Sequence, residues 1–275
     1  MARALRVQYE GAIYHVTSRG NERRNIFRTD RDRHRFLEIL AENVEAYHIR
    51  LYAYVLMSNH FHLLIETPRA NLCAFMQQFN GAYTTWFNAK HKRSGHLYGG
   101  RYKARLVEGN EYLLALIRYV HLNPVKIKSV KNRPLDERRK RLWGYPWSSY
   151  RSYAGLTRKK AKMVDHDPLG ELVGQGSRRK DVAYRRYVEA GLAKDDKELQ
   201  EVLKQSSKAI GTRLRGQSAH SCNSDFNRDR TRSRGARYAL TARWILLRLP
   251  ISSFALTHSS LTTLRGIRGR SAHSW

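Results

Sequence analysis

Two histidines flank a phenylalanine at the start of an apolar stretch, in the run His60-Phe61-His62-Leu63-Leu64-Ile65. On a β-strand, side chains alternate between the two faces, so His60 and His62 would share one face while Phe61 enters the core. Two adjacent imidazoles can hold one metal ion. The pattern alone is weak evidence, because a chain with 12 histidines contains about half of one such pair by chance. A pair of surface or core histidines remains the alternative.

A tyrosine on a later predicted helix, Tyr119, supplies a possible nucleophile. At about 100° per residue, Leu113, Ile117 and Val120 fall on one apolar stripe, and Tyr119 lies on its flank. Asn123 follows one turn later and is therefore its neighbour on the helix surface. A tyrosine on the flank can face the sheet and attack a phosphodiester bond. The alternative is a packing tyrosine at the margin of the core, in a chain that has 16 tyrosines.

Hydrophobic periodicity over the first 125 residues predicts the element order βαββαβα. Strands are predicted at 12–19, 51–57, 60–67 and 102–108, and three helices follow the caps Asp30 and Asn110 and the start at Leu72. This order is typical of α+β, ferredoxin-like or RRM-like folds, in which an antiparallel sheet carries helices on one face. The histidine pair opens the third strand.

The charge balance points to a polyanionic partner. Lys and Arg number 52 against 23 acidic residues, giving a net charge of +29, which favours nucleic acid or an anionic membrane surface. No apolar run approaches the ~20 residues of a spanning helix, and the first residues lack the apolar stretch of a secretory signal. We therefore expect a cytoplasmic protein that binds nucleic acid and no membrane. With two cysteines, a cysteine-based zinc site is not expected.

Basic side chains offer a path for a nucleic-acid backbone. Arg19, Arg23 and Arg24 follow the first strand, and Arg101, Lys103 and Arg105 alternate along the fourth, where they would share one face. Such clusters contact phosphates without reading sequence. A solvated charged face is the alternative interpretation.

Composition suggests three segments: a catalytic domain at 1–155, a helical accessory extension at 156–210 and a basic tail at 211–275. Helices are predicted at 184–190 and 198–210 in the extension. The tail holds 12 arginines and 10 serines but no lysine or glutamate. This composition favours either a disordered basic tail or a segment added by a reading-frame change.

Four blocks together resemble the single-tyrosine transposases of the HUH superfamily, and more narrowly the REP-associated tyrosine transposases of bacteria. They are Tyr14-His15-Val16-Thr17-Ser18-Arg19-Gly20-Asn21, Met57-Ser58-Asn59-His60-Phe61-His62-Leu63-Leu64, Gly99-Gly100-Arg101-Tyr102-Lys103-Ala104 and Arg118-Tyr119-Val120-His121-Leu122-Asn123-Pro124-Val125. Their order along about the first 150 residues is more specific than any one of them.

The resemblance implies a divalent ion, Mg²⁺ or Mn²⁺, bound by His60, His62 and Asn123. It also implies that Tyr119 attacks single-stranded DNA beside a small hairpin and forms a 5′-phosphotyrosine bond, which the reverse reaction uses to rejoin strands. The protein would act as a monomer or homodimer. His15, His121 and Ser58 have no assigned role.

Three functions remain open from the sequence. The favoured one is a metal-dependent endonuclease and strand transferase for single-stranded DNA. The second is a non-catalytic nucleic-acid-binding regulator on the same scaffold. The third is a metal-dependent phosphodiesterase that uses activated water, with Tyr119 structural only.

Overall fold

The computed structural model describes residues 8–174 and 176–193. The helix predicted at 198–210 and the basic tail at 211–275 lie outside the described residues. The strands are β1 (Ala12–Arg19), β2 (Arg50–Leu56), β3 (His60–Thr67) and β4 (Lys103–Val107). The helices are α1 (Asp30–Ala46), α2 (Leu72–Lys90), α3 (Asn110–Leu122), α4 (Lys128–Lys131), α5 (Leu135–Gly144), α6 (Tyr150–Tyr153), α7 (Asp167–Gly174) and α8 (Lys180–Glu189).

The four strands form one antiparallel sheet in the order β2-β3-β1-β4. The predicted α+β class and the βαββαβα order are confirmed, and this strand order is that of a ferredoxin-like sheet. Phe61 points into the core as the alternation predicted: its ring lies 5.0 Å from that of Phe36 in α1 and 5.9 Å from that of Phe79 in α2. α1 and α2 therefore cover one face of the sheet.

The expectation that all helices lie on one face is wrong, because α3 packs on the opposite face. The Tyr119 ring lies 5.6 Å from the ring of His62, whose side chain projects away from that of Phe61. The predicted apolar stripe of α3 is buried, with Ile117 and Val120 fully covered. Since the sheet buries apolar residues on both faces, periodicity alone could not assign a face to α3.

Two predicted helix caps shift by one residue. Thr29, not Asp30, caps α1: the backbone N–H of Asp32 donates to Thr29 Oγ1, and the N–H of Thr29 donates to Asp32 Oδ2 at 2.9 Å. This reciprocal pair is a capping box, which satisfies two otherwise unpaired backbone donors. Gly109, not Asn110, is the N-cap residue of α3.

Asp32 also joins the start of α1 to the end of α2. Its carboxylate is fully buried and accepts from Lys90 Nζ at 2.9 Å, while His91 Nε2 lies 3.1 Å away. Burial alone would raise the pKa of the carboxyl group, but these partners and two backbone donors hold it well below its usual range. The paired charge fixes the two helices against each other.

The chain after α5 covers the outer edge of β2. The N–H of Leu56 donates to the Trp147 carbonyl at 2.9 Å, and the N–H of Asp165 donates to the Leu51 carbonyl at 2.8 Å. An edge strand otherwise exposes unpaired backbone groups, so this segment protects it. These contacts cross residue 155, and the domain boundary placed there stays a prediction. The helix predicted at 184–190 corresponds to α8.

His121 connects α3 to the chain that follows α5. Its Nε2 lies 2.9 Å from Ser149 Oγ, and its Nδ1 lies 3.1 Å from the hydroxyl of Tyr184 in α8. Ser149 Oγ also accepts from the backbone N–H of Tyr54 in β2 at 3.0 Å. Burial lowers the pKa of the His121 imidazole to about 3, so the ring is neutral at pH 7.

In the part of the chain that the structure describes, no helix is both long and apolar enough to cross a membrane.

Replacing Ser149 by alanine should destabilise the protein by about 1–3 kcal/mol, because His121 and the Tyr54 N–H then lose a buried partner. Denaturant unfolding of the full chain measures this loss. Ser94→Ala, at an exposed position, is the matched control and should stay within about 0.5 kcal/mol of the parent. A Ser149→Ala variant as stable as the control would contradict this role of Ser149.

Candidate active site

The register of β1 on β3 brings three histidines to one face of the sheet. Arg19 pairs with His60, Thr17 with His62 and His15 with Leu64. Because directly paired residues share a face in an antiparallel sheet, His15, His60 and His62 all project to the side that α3 covers. The ring centroids of His60 and His62 are 5.2 Å apart. The strand geometry predicted for this pair is therefore observed.

α3 places Tyr119 over these rings. The Tyr119 ring lies edge-on to two imidazoles, with centroid distances of 5.6 Å to His62 and 6.1 Å to His15. The buried residues Leu116 and Val120, which lie three positions before and one after it, hold this part of the helix against the molecule. The prediction that Tyr119 borders the core and faces the sheet agrees with this placement, since the residue is half-buried.

His15 also lies in this site, although its sequence context predicted no role for it. Its ring stacks on that of His62 at 5.1 Å and 12°, and its Nε2 lies 2.8 Å from His62 Nδ1. Both side chains are buried. Strand alternation places His15 on the same face of β1 as Thr17. Only the register of β1 on β3, which pairs Thr17 with His62, shows that His15 meets His62.

One ring nitrogen of His62 is left without a hydrogen bond. His62 Nε2 is buried and has no hydrogen-bond partner among the described residues. A buried nitrogen of this kind fits a metal ligand, because neutral imidazole is the commonest protein ligand of transition metals. His60 has Nδ1 engaged by Asn59 Oδ1 at 2.7 Å, and so its Nε2 is the nitrogen that could coordinate an ion. The residues present thus fit a divalent cation.

The electrostatic environment keeps the three imidazoles neutral. Burial, together with a smaller contribution from the Arg105 guanidinium, lowers the pKa of His15 to about 4. Burial and then Arg19 lower the pKa of His60 to about 4, and the pKa of His62 lies well below its usual value. At pH 7 the rings can therefore donate lone pairs, and the same arginines provide positive potential for a phosphate.

Asn123 lies at the end of α3, one turn beyond Tyr119. Its amide Nδ2 donates to the backbone carbonyl of Tyr119 at 2.9 Å, which leaves Oδ1 as the atom able to bind an ion. The contacts of Asn123 thus tie it to the tyrosine, and its role as a ligand stays a prediction. Among residues 8–174 and 176–193, no three His, Cys, Asp or Glu side chains form a metal-binding group. A metal held by the histidine pair would take its other ligands from amide, water or phosphate oxygens.

Basic side chains surround the site on two sides. Lys103 and Arg105 in β4 pair with Thr17 and His15 and so share the histidine face. Arg101 precedes β4, which begins only at Lys103, so strand alternation does not reach it and its place on that face stays a prediction. All three are exposed to solvent.

Arg23 and Arg24 lie in the loop that follows β1, beside the turn that carries His60. The Arg23 carbonyl accepts from Asn59 Nδ2 at 2.9 Å, and Arg24 pairs with Glu22 at 2.6 Å. Gly20 permits this loop, because a Cβ there would lie 2.1 Å from the Arg24 carbonyl oxygen. The loop thus carries two exposed arginines and contacts the turn that leads into His60.

Comparison with known proteins finds one family model that matches part of the chain. The sequence profile of the IS200-like transposases matches residues 8–123. No curated protein sequence matches the chain significantly.

Two solved structures are similar to part of the chain at low identity. One is a REP-associated tyrosine transposase bound to a REP hairpin, 16% identical, covering 61% of this chain and 96% of that chain with a TM-score of 0.45. The other is a candidate transposase from Deinococcus radiodurans, 19% identical, covering 43% of this chain and 94% of that chain with a TM-score of 0.32. The match to the IS200-like transposase profile spans the segment that holds His15, His60, His62 and Tyr119.

Proposed function

We propose that residues 8–123 form a transposase domain of the IS200-like type, which cleaves and rejoins single-stranded DNA through a covalent bond to Tyr119. The observation that carries the proposal is the position of the Tyr119 ring, 5.6 Å from His62, whose buried Nε2 has no partner among the described residues. A phenol and an available metal-ligating nitrogen meet on one face of the sheet. This is the set of groups that a tyrosine nucleophile and a metal-assisted phosphoryl transfer need.

His60, His62 and Asn123 are the residues that would hold the divalent ion, Mg²⁺ or Mn²⁺. When bound, the ion supplies charge stabilisation at a non-bridging oxygen of the scissile phosphate. Two neutral imidazoles and one amide oxygen leave positions for water and phosphate, which suits Mn²⁺ and is acceptable for Mg²⁺. Arg19 and Arg105 would keep the imidazoles neutral and attract the phosphate.

The bond changes are those of an in-line displacement at phosphorus. Tyr119 Oη loses its proton and forms the bond to phosphorus, while the bond to the 3′-oxygen breaks and that oxygen takes up a proton. The products are a 5′-phosphotyrosine and a free 3′-hydroxyl. Since the new bond is again a phosphodiester, a 3′-hydroxyl can reverse the reaction and join strands without another energy source.

The substrate that we propose is single-stranded DNA with a hairpin of the REP type. The solved relative that carries a REP hairpin motivates this choice, together with the residue blocks around Tyr14, His60, Gly99 and Tyr119. Exposed Arg23, Arg101 and Lys103 would contact the phosphates beside the site. We propose that the extension after residue 155 supports this domain and that the tail at 211–275 adds sequence-independent affinity.

Replacing Tyr119 by phenylalanine should abolish cleavage and the protein–DNA adduct while DNA binding stays unchanged, because only one hydroxyl is lost. Incubation with hairpin-bearing single-stranded DNA and Mn²⁺, followed by denaturing electrophoresis, measures both products. Tyr187→Phe, which changes a half-buried tyrosine of α8, is the matched control and should retain the adduct.

The same assay separates the alternative functions. Strand cleavage without an adduct in the parent protein would identify a phosphodiesterase that uses activated water. Binding without cleavage would identify a regulator, and an adduct that persists in Tyr119→Phe would disprove the assigned nucleophile.

Replacing Asn123 by alanine should lower the cleavage rate and weaken Mn²⁺ binding, both by about 10-fold or more, if the amide is a ligand. Its hydrogen bond to the Tyr119 carbonyl contributes only about 1 kcal/mol to stability, so the variant should fold. Asn132→Ala, at an exposed helix end, is the control. Parent-like rate and metal dependence in Asn123→Ala would remove the residue from the site.

Replacing Arg23, Arg101 and Lys103 by glutamine in one triple variant should flatten the salt dependence of DNA binding. For single strands, log affinity falls with log salt by about 0.7 per neutralised phosphate, so three lost contacts reduce the slope by about 2. Binding titrations between low and physiological salt measure it. The control variant replaces Arg31, Arg69 and Lys92 by glutamine and so makes the same change in charge. These three exposed cations lie in α1 and in the connections before and after α2. Equal slopes for the two triple variants would refute the proposed path.

A further inference from the structure

Each histidine of the candidate metal site has one ring nitrogen engaged by a side chain that is not itself a candidate ligand. Asn59 Oδ1 lies 2.7 Å from His60 Nδ1, and His15 Nε2 lies 2.8 Å from His62 Nδ1. In both cases the contact leaves the Nε2 atom for other partners. A hydrogen bond at one imidazole nitrogen decides which nitrogen carries the proton and which can bind a metal.

The contacts of Asn59 fix the tautomer of His60. Asn59 Nδ2 donates to the Arg23 carbonyl at 2.9 Å, and a carbonyl oxygen can only accept. The amide is therefore oriented with Oδ1 toward His60, and Oδ1 too can only accept. Nδ1 of His60 must then carry the hydrogen, which makes Nε2 the atom with the lone pair.

The contact between His15 and His62 allows two arrangements, which differ in cost. If His15 Nε2 donates, His62 Nδ1 accepts, and the buried His62 Nε2 must carry an N–H group that has no partner among the described residues. If His62 Nδ1 donates instead, His62 Nε2 holds an unshared lone pair. Orphaned buried N–H groups are rarer in proteins than acceptors that lack a partner, so the second arrangement is favoured.

The surroundings of His15 suit it to this role. It lies on the central strand β1, is 8% exposed and stacks on His62 within 12° of parallel, so its ring has little freedom to turn away. Its other close ring neighbour is Tyr119, 6.1 Å away. The same residue therefore touches both the candidate ligand and the candidate nucleophile.

We propose that His15 and Asn59 are positioning residues that hold His62 and His60 as Nδ1–H tautomers, so that both present Nε2 lone pairs to one divalent cation. This inference rests on the proposed metal-dependent function. It adds two residues that never touch the ion or the DNA and that act through the two ligands. Both ligand histidines then have the metal-binding tautomer already in the metal-free protein.

The tautomers can be read in the metal-free full-length protein labelled with ¹⁵N-histidine. Long-range ¹H–¹⁵N correlation spectra distinguish Nδ1–H from Nε2–H rings, and His60→Gln and His62→Gln variants assign the signals by their loss. We expect the Nδ1–H pattern for both residues. In His15→Leu, which removes the acceptor, His62 should become a mixture of tautomers, whereas His15→Gln, whose Oε1 can accept near the position of Nε2, should restore the Nδ1–H form.

Metal affinity provides the second measurement. Mn²⁺ titrations followed by electron paramagnetic resonance should show a 10–100-fold weaker site in His15→Leu and in Asn59→Leu. His15→Gln should bind within about 3-fold of the parent. Asn25→Leu, an exposed position on the same loop, is the control for Asn59→Leu and should bind as the parent does.

The outcomes separate this inference from the proposed function. An Nε2–H pattern for His62 in the parent, parent-like Mn²⁺ affinity in His15→Leu, or equal weakening in His15→Gln and His15→Leu would overturn the role of His15. An Nε2–H pattern for His60 would overturn that of Asn59. A parent protein that binds no Mn²⁺ contradicts the metal-dependent function, while the metal-free spectrum still decides the tautomers. If His15→Leu does not fold, the parent spectrum and the His15→Gln titration decide.

Discussion

The pairing of β1 with β3 in the middle of the sheet is the constraint on which the site depends. In this register, Thr17 lies opposite His62 and Arg19 opposite His60. A slip by one residue would turn His15 to the face covered by α1 and α2 and would bring Ser18 opposite His62. On that face Phe61 packs among the aromatic rings of α1 and α2, which fixes the orientation of β3 and therefore the side to which His60 and His62 project. Core packing on one side of the sheet thus fixes the chemistry on the other.

α3 is held from two sides, which defines where Tyr119 sits. Tyr119 and His121 are two positions apart, about 200° around the helix, so they point to nearly opposite sides. Tyr119 meets the histidine rings, whereas His121 meets Ser149, which precedes α6, and Tyr184 in α8. Ser149 in turn bonds the backbone of β2. The segment from Ser149 to α8 therefore contacts the helix that carries the candidate nucleophile, on the side away from the histidine rings.

The sequence was informative where the signal is local. Alternation along a strand placed His60 and His62 on one face, and the helical wheel placed Tyr119 on the flank of α3. It failed where the answer depends on partners distant in the chain. The pairing of His15 with His62 requires the register of two strands 47 residues apart, and the face that α3 covers depends on a sheet buried on both sides. The cap of α1 was missed because Thr29 and Asp30 are both good cap residues, and only the backbone distinguishes them.

Burial and nearby positive charge both keep the imidazoles of the site neutral, which explains why the site combines histidines with arginines. The His62 ring lies within 6 Å of the rings of both His15 and His60, so these imidazoles would repel if protonated, and burial is the main cause that keeps them neutral. Arg19 and Arg105 work in the same direction, since a nearby cation disfavours imidazolium. A carboxylate beside the rings would stabilise the protonated form instead and would repel a phosphate. Among the described residues no acidic side chain completes a metal-binding group with the histidine pair, so the remaining protein ligands of the proposed site would be neutral and its positive potential would favour DNA.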